Sequence, residues 1–129
     1  MNDFQNIADN LFEAENSHHQ IGAITSQYPN LSLEDAYQIQ LANIKRRTDA
    51  GEKVIGMKIG LTSKAMQNLL GVKEPDYGHL TDKMLLLEGE ECKSSELLQP
   101  KVEGELSFCL KKTLRGPGIT IADVYNATA

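Results

Sequence analysis

Val54-Ile55-Gly56-Met57-Lys58-Ile59-Gly60-Leu61 is the stretch whose reading decides the fold. It is rich in β-branched residues and punctuated by glycine, so it reads as a strand. Successive side chains of a strand point to opposite faces. Ile55, Met57, Ile59 and Leu61 therefore share one face, and Val54, Gly56, Lys58 and Gly60 share the other. Lys58 is then the lone charged side chain on a face kept nearly bare. A lysine directed into a cleft can polarise a carbonyl or carry a proton. A lysine on an open sheet face is the plainer reading, and this stretch alone does not separate the two.

Towards the N-terminus the period changes to that of helices. From about Asp3 to Asn16, Ile7, Leu11 and Ala14 fall on one stripe, which predicts a helix with one buried face. Residues 16–30 carry turn chemistry ending in Tyr28-Pro29-Asn30 and read as a connection. Ser32 and Asp35 form a capping box at the head of a second helix. Leu33, Tyr37, Leu41 and Ile44 keep the helical period, and Gly51 is its stop. The basic run Lys45-Arg46-Arg47 lies late in this helix, where it complements the carbonyl end of the helix dipole. His18 and His19 are adjacent, point apart and read as surface residues.

Towards the C-terminus, a short helix is predicted over Lys64 to Leu70, capped by Thr62 or Ser63 and ended by Gly71. A loop over Lys73 to Gly78 follows, then a short apolar strand from Met84 to Leu87 with its turn at Glu88-Gly89-Glu90. A stronger strand spans Val102 to Lys111 and leads into the turn Arg115-Gly116-Pro117-Gly118. Thr120 caps a last helix with Asp123 as its box partner. The stripe Ile121, Val124, Tyr125 and Thr128 runs on to Ala129 with no C-cap, which predicts a chain cut short of a longer protein. No internal repeat and no low-complexity segment is present.

The totals bound the class. A chain of 129 residues holds one domain or part of a larger one. With no Trp and 5% aromatic residues, any core must be built from aliphatic side chains. A net charge of −5 and a pI near 5.1 argue against nucleic acid, which needs a basic face. Cys92 and Cys109 show no CxxC spacing and no nearby histidine pair, so neither a metal cluster nor a disulfide framework is indicated. A reducing, cytoplasmic setting is the expectation. The acidic, amphipathic N-terminus lacks the pattern of a signal peptide, and no apolar run reaches membrane-spanning length.

Chemistry concentrates on the strand from Lys101 to Leu110. Val102, Gly104, Leu106, Phe108 and Leu110 form its apolar face, and Glu103, Glu105 and Ser107 the other. Two carboxylates two positions apart on a strand stand about 6.5–7 Å apart on one side. They repel unless something positive lies between them, and a hard divalent cation with oxygen ligands is a natural compensator. A solvated strand face is the ordinary alternative. Glu88-Gly89-Glu90 repeats the spelling at a turn, where solvation is easy. Asp76, in Pro75-Asp76-Tyr77-Gly78, reads by itself as a turn residue. The Gly56–Gly60 spacing fits neither phosphate-loop pattern.

Taken together, Gly56 to Ser63, Leu70-Gly71-Val72, Glu74 to Gly78 and Gln99 to Leu106 resemble one family in order and spacing. It is the 2-keto-4-pentenoate hydratase group of the fumarylacetoacetate hydrolase-like superfamily, with the 2-oxohept-3-enedioate hydratases and 4-oxalocrotonate decarboxylases. The resemblance covers residues 32–129 and implies an α+β fold. Its N-terminal helices (residues 1–51) precede the start of a mixed β-roll or barrel-like catalytic domain (residues 52–129), truncated here.

The resemblance further implies that Glu103 and Glu105 match two of three carboxylate ligands of a Mg²⁺ or Mn²⁺ site, the third lying on a later segment. Lys58 and Asp76 match polar residues around the substrate. The implied activity is hydration of 2-hydroxy-2,4-dienoates or 2-oxo-3-enoates to 4-hydroxy-2-oxo acids, as in aromatic catabolism. Decarboxylation of a 2-oxo-3-enedioate, or an inactive fragment lacking the third carboxylate, are the alternatives. The implied partners are the small acid substrate, further copies of the chain in a homo-oligomer, and a related decarboxylase or hydratase. Neither nucleic acid nor membrane is expected.

Overall fold

A computed structural model describes residues 3–129. Helix α1 (Asp3–Ser17) and helix α3 (Leu33–Asp49) pack around Ile7, Ala8 and Ile39, with Ile24, Tyr28, Leu31 and Ala42 against them. On the predicted α1 stripe, Ile7 and Ala14 are buried while Leu11 lies at the rim. Because this core is small, polar contacts reinforce it. Asn43 Nδ2 donates to the Ala8 carbonyl at 2.9 Å. Arg46 pairs with Asp9 and stacks over the Phe12 ring at 4.6 Å. Arg47 reaches Glu15 at 2.6 Å and Glu52 at 3.3 Å. Arg46 and Arg47 of the basic run therefore tie α3 to α1, a role beyond the dipole complement expected of it, while Lys45 pairs with Asp49 within α3.

The ends of α3 follow the sequence rules. Ser32 Oγ accepts from Asp35 N at 3.1 Å and the Asp35 carboxylate accepts from Ser32 N at 2.8 Å, closing the capping box. The Ser32 N–H holds the Asp35 carboxyl below the usual carboxylate range. Gly51, at φ +100°, takes the left-handed turn that ends the helix. Within the connection before α3, Ile24–Gln27 forms a single helical turn, α2, without a side-chain cap.

Strand β1 (Val54–Gly60) forms as predicted and pairs antiparallel with β2 (Asp76–Thr81). The expected loop over Lys73 to Gly78 thus ends earlier, because Asp76, Tyr77 and Gly78 join the ladder opposite Gly60, Ile59 and Lys58. Pro75 sits just outside, where its missing N–H costs no ladder bond. Between the strands lies α4 (Lys64–Leu70), capped by Ser63 Oγ accepting from Met66 N at 3.1 Å and ended by Gly71 at φ +70°. Tyr77 stacks on Tyr37 of α3 with ring centroids 4.4 Å apart. Gln40 donates to the Tyr77 carbonyl at 3.1 Å and accepts from His79 Nδ1 at 2.9 Å. The helical layer therefore backs the small sheet.

Beyond β2 the structure is sparse: 3₁₀ turns at Asp82–Met84 and Ser94–Glu96, then α5 (Ile121–Ala127). Neither the strand predicted for Met84 to Leu87 nor that for Val102 to Lys111 forms. A strand exists only through ladder bonds to a neighbour. Among the described residues only Leu110 finds one, in an isolated bridge with Thr128. The predicted apolar face of this stretch is uncovered, with Val102 at 100% and Leu106 at 90% exposure. Helix α5 keeps its Thr120–Asp123 capping box, but the stripe expected to reach Ala129 ends at Ala127. Thr128 turns extended to make the bridge, and Lys111 N donates to the Ala127 carbonyl at 2.7 Å. The class is α+β. No helix among the described residues is long and apolar enough to cross a membrane.

Candidate active site

The ladder register builds one face of the site. Paired residues of an antiparallel sheet point to the same side, so Lys58 and Gly60 of β1 share a face with Gly78 and Asp76 of β2. Lys58 accordingly rises from a bed of glycines. Gly60 has a specific reason to lack a side chain: a Cβ there would drive into the Asp76 carboxylate, whose Cγ would lie 3.2 Å away. Asp76 thus leans over Gly60 on the face that carries Lys58.

The turn after β1 shapes the rim. Leu61 has φ +53°, an uncommon conformation for a branched residue. Gln67, buried within α4, donates from Nε2 to the Leu61 carbonyl at 2.7 Å, and Lys64 donates to Gln67 Oε1 at 2.8 Å. Sequence reasoning missed this clamp, because a glutamine in a short helix carries no chemical signature. Leu61, Thr62, Ser63 and Met66 line the cleft beside the predicted residues.

The segment 101–109, which carries no regular secondary structure, supplies further lining through Glu103, Gly104 and Glu105. Lys58 Nζ forms an ion pair with Glu105 Oε1 and stands 3.6 Å from Glu103 Oε2. All four predicted site residues, Lys58, Asp76, Glu103 and Glu105, line one cleft of about 700 Å³. Strand phase put the two glutamates on one side, yet a side-chain ion pair now aims them. The pair is open to water, with Glu103 68% and Glu105 46% exposed. The Glu105 carboxylate, accepting from the ammonium, raises the Lys58 pKa above its ordinary 10.5, and Glu103 adds to the effect. Lysine in this state is a firm cation.

Two carboxylates meeting at one ammonium are a hard-oxygen donor pair aimed at one positive centre, which suits a divalent cation. The set is partial. Among the described residues, no group of three His, Cys, Asp or Glu side chains stands ready to hold a metal.

No family model matches the chain. It is 51% identical over 123 residues to the 2-hydroxypent-2,4-dienoate hydratase of Pseudomonas putida, covering 95% of this chain and 55% of that protein. It is 45% identical to the 2-oxo-hept-4-ene-1,7-dioate hydratase of Escherichia coli, over 95% of this chain and 46% of that protein. The fold superposes on the 4-oxalocrotonate decarboxylase from Pseudomonas putida G7, complexed with calcium and acetate, with a TM-score of 0.92 at 36% identity. That match covers 97% of this chain and 48% of the decarboxylase. Over nearly its whole length the chain is similar to this group of hydratases and decarboxylases. A second structure of the G7 decarboxylase, complexed with magnesium and adipate, matches with a TM-score of 0.89. The chain spans about half the length of the group members it matches.

Proposed function

We propose that this chain serves a divalent-metal-dependent hydratase that adds water to 2-hydroxy-2,4-dienoates, with Glu103 and Glu105 as metal ligands and Lys58 and Asp76 facing the substrate. The observation that carries this reading is the meeting of those four side chains, from three separate chain segments, in one cleft. Hydratase is preferred to decarboxylase because identity is 51% to a hydratase and 39% to the 4-oxalocrotonate decarboxylase of Pseudomonas sp. strain CF600. Calcium and magnesium in the structural neighbours support a divalent cation for this site, Mg²⁺ or Mn²⁺. In this scheme residues 1–51 back the site and residues 52–129 carry it.

A divalent cation held by Glu103 and Glu105 would supply a Lewis acid and template for the substrate's carboxylate and 2-oxygen. Lys58 and Asp76 handle protons, since they are the titratable side chains on the glycine-lined face. The enol proton leaves the 2-oxygen as C5 is protonated, giving the 2-oxo-3-enoate. Water then adds at C4 and C3 takes a proton, giving the 4-hydroxy-2-oxo acid. Lys58, the cation on the glycine-lined face, stabilises negative charge developing on oxygen. Further copies of the chain in a homo-oligomer, and a related decarboxylase or hydratase, are the partners the reading implies.

The deciding assay gives the chain Mg²⁺ and 2-hydroxypent-2,4-dienoate and follows loss of the dienoate absorbance. Metal-dependent loss without CO₂ release is expected. Release of CO₂ from a 2-oxo-3-enedioate with no dienoate turnover would shift the assignment to decarboxylase. Inactivity towards both would leave this chain a non-catalytic portion.

A further inference from the structure

We infer that the Lys58 ammonium is an internal placeholder for the divalent cation, holding Glu103 and Glu105 together until the cation displaces it. The inference rests on reading those glutamates as metal ligands.

Three observations carry it. First, among the described residues no strand ladders with residues 101–109, so within this chain backbone pairing does not fix the glutamates' positions. Lys58 stands on β1, which is fixed by its register with β2, and reaches both carboxylates across the cleft. The ammonium thus links an anchored strand to an unanchored one. Second, the residue type suits a displaceable cation. An ammonium on a flexible stem makes no planar two-point contact, unlike a guanidinium. Both pairs are exposed, and exposed pairs hold weakly. Third, Lys58 has room to withdraw. Gly78 lies opposite it, with no neighbouring atom within 4 Å of where a Cβ would be, and the same holds at Gly104 between the glutamates.

An ammonium and a divalent ion cannot both sit between two carboxylates, since like charges repel at that range. Binding the ion must therefore push Lys58 off the pair. The displaced ammonium stays on the glycine-lined face beside Asp76, where a substrate carboxylate or 2-oxygen would arrive. One residue thereby keeps the ligands assembled without metal and delivers a positive charge to the substrate side with it.

Calorimetric titration of the 129-residue chain with Mg²⁺ tests this directly. Lys58→Met should tighten Mg²⁺ binding by roughly threefold or more, the scale of one or two exposed ion pairs. Lys58→Arg, which keeps the charge and adds a planar two-point grip, should bind Mg²⁺ no more tightly than the wild type. Unchanged or weaker binding in Lys58→Met would overturn the placeholder role, as would equal tightening in both variants. A second measurement needs no variant: in lysine-labelled wild type, the Lys58 ¹³Cε resonance should shift with the calorimetric midpoint. A resonance that stays put while Mg²⁺ binds would also overturn it. Glu103→Gln keeps the two failures apart. If wild type and every variant ignore Mg²⁺, the metal reading falls and takes the placeholder with it. If Glu103→Gln abolishes binding while Lys58→Met matches wild type, only the placeholder falls.

Discussion

Glu88-Gly89-Glu90 and Glu103-Gly104-Glu105 are spelled alike and do different things. In the first, Gly89 takes φ +89°, the chain turns, and Glu90 folds back to accept from Leu87 N at 2.7 Å. Its carboxylate is consumed by its own turn. In the second there is no such turn, and both carboxylates reach across the cleft to Lys58. What separates the copies is the group that faces them, and in the second copy that group comes from a strand more than forty residues earlier. Acidic spelling alone therefore says little about cation binding.

The sharpest way to break this contrast is to neutralise each pair. Glu103→Gln/Glu105→Gln should weaken Mg²⁺ binding by about a hundredfold, the upper end for losing even a supporting contact at a metal site. Glu88→Gln/Glu90→Gln should leave it unchanged in the same titration, and equal losses would dissolve the distinction. Next in size is Gly60→Ala. Its new Cβ would collide with the Asp76 carboxylate, and misplacing a working group by about 1 Å costs up to roughly a hundredfold in rate. Turnover of the dienoate should fall by about tenfold or more while the circular dichroism spectrum is retained.

The two central glycines give a smaller, purely conformational contrast. Gly89→Ala should destabilise the fold by about 1–2 kcal/mol, because φ +89° is a left-handed position. Gly104→Ala should leave the thermal midpoint where it is, since an added Cβ there meets nothing within 4 Å. The smallest effects come with pH. The raised Lys58 pKa means that its ion pairs contribute fully below about pH 10.5 and fade as pH rises through the higher folded value. A ¹³Cε titration should place the Lys58 midpoint above 10.5. At the acid end the sign reverses. Asp35 and Asp123 sit below their ordinary 3.8, so their caps support helices α3 and α5 above that pH and weaken as pH falls through the lower folded values. Helical dichroism should decline there first.

How much of this was legible in the sequence depended on whether the determinant was local. Caps and stops are short-range, and so Ser32, Thr120, Gly51 and Gly71 could be read directly, while the α4 cap was narrowed to Thr62 or Ser63 and proves to be Ser63. Strand β1 was equally plain from its β-branched run. Strand β2 was hidden because Pro75-Asp76-Tyr77-Gly78 has the composition of a turn, and only its pairing with β1 makes it a strand. The error ran the other way over Val102 to Lys111, where alternation was clear but, among the described residues, only the isolated Leu110–Thr128 bridge forms. At the site, Glu103, Glu105, Lys58 and Asp76 were each visible as candidates. The Lys58–Glu105 contact, the Asp76–Gly60 approach and the Gln67 clamp depend on packing between distant segments, which periodicity does not encode.

The stacked Tyr37–Tyr77 pair makes the molecule optically lopsided. With no tryptophan and four tyrosines, near-ultraviolet dichroism and intrinsic fluorescence come chiefly from tyrosine. One interacting pair lies where α3 meets β2. Residues 82–120 hold no tyrosine, and Phe108 is their one aromatic ring. An optical melt will therefore report the parting of helix from sheet, while the glutamate-bearing wall of the cleft can loosen without a signal. A tryptophan in place of Phe108, itself 61% exposed, would give that dark wall a chromophore of its own.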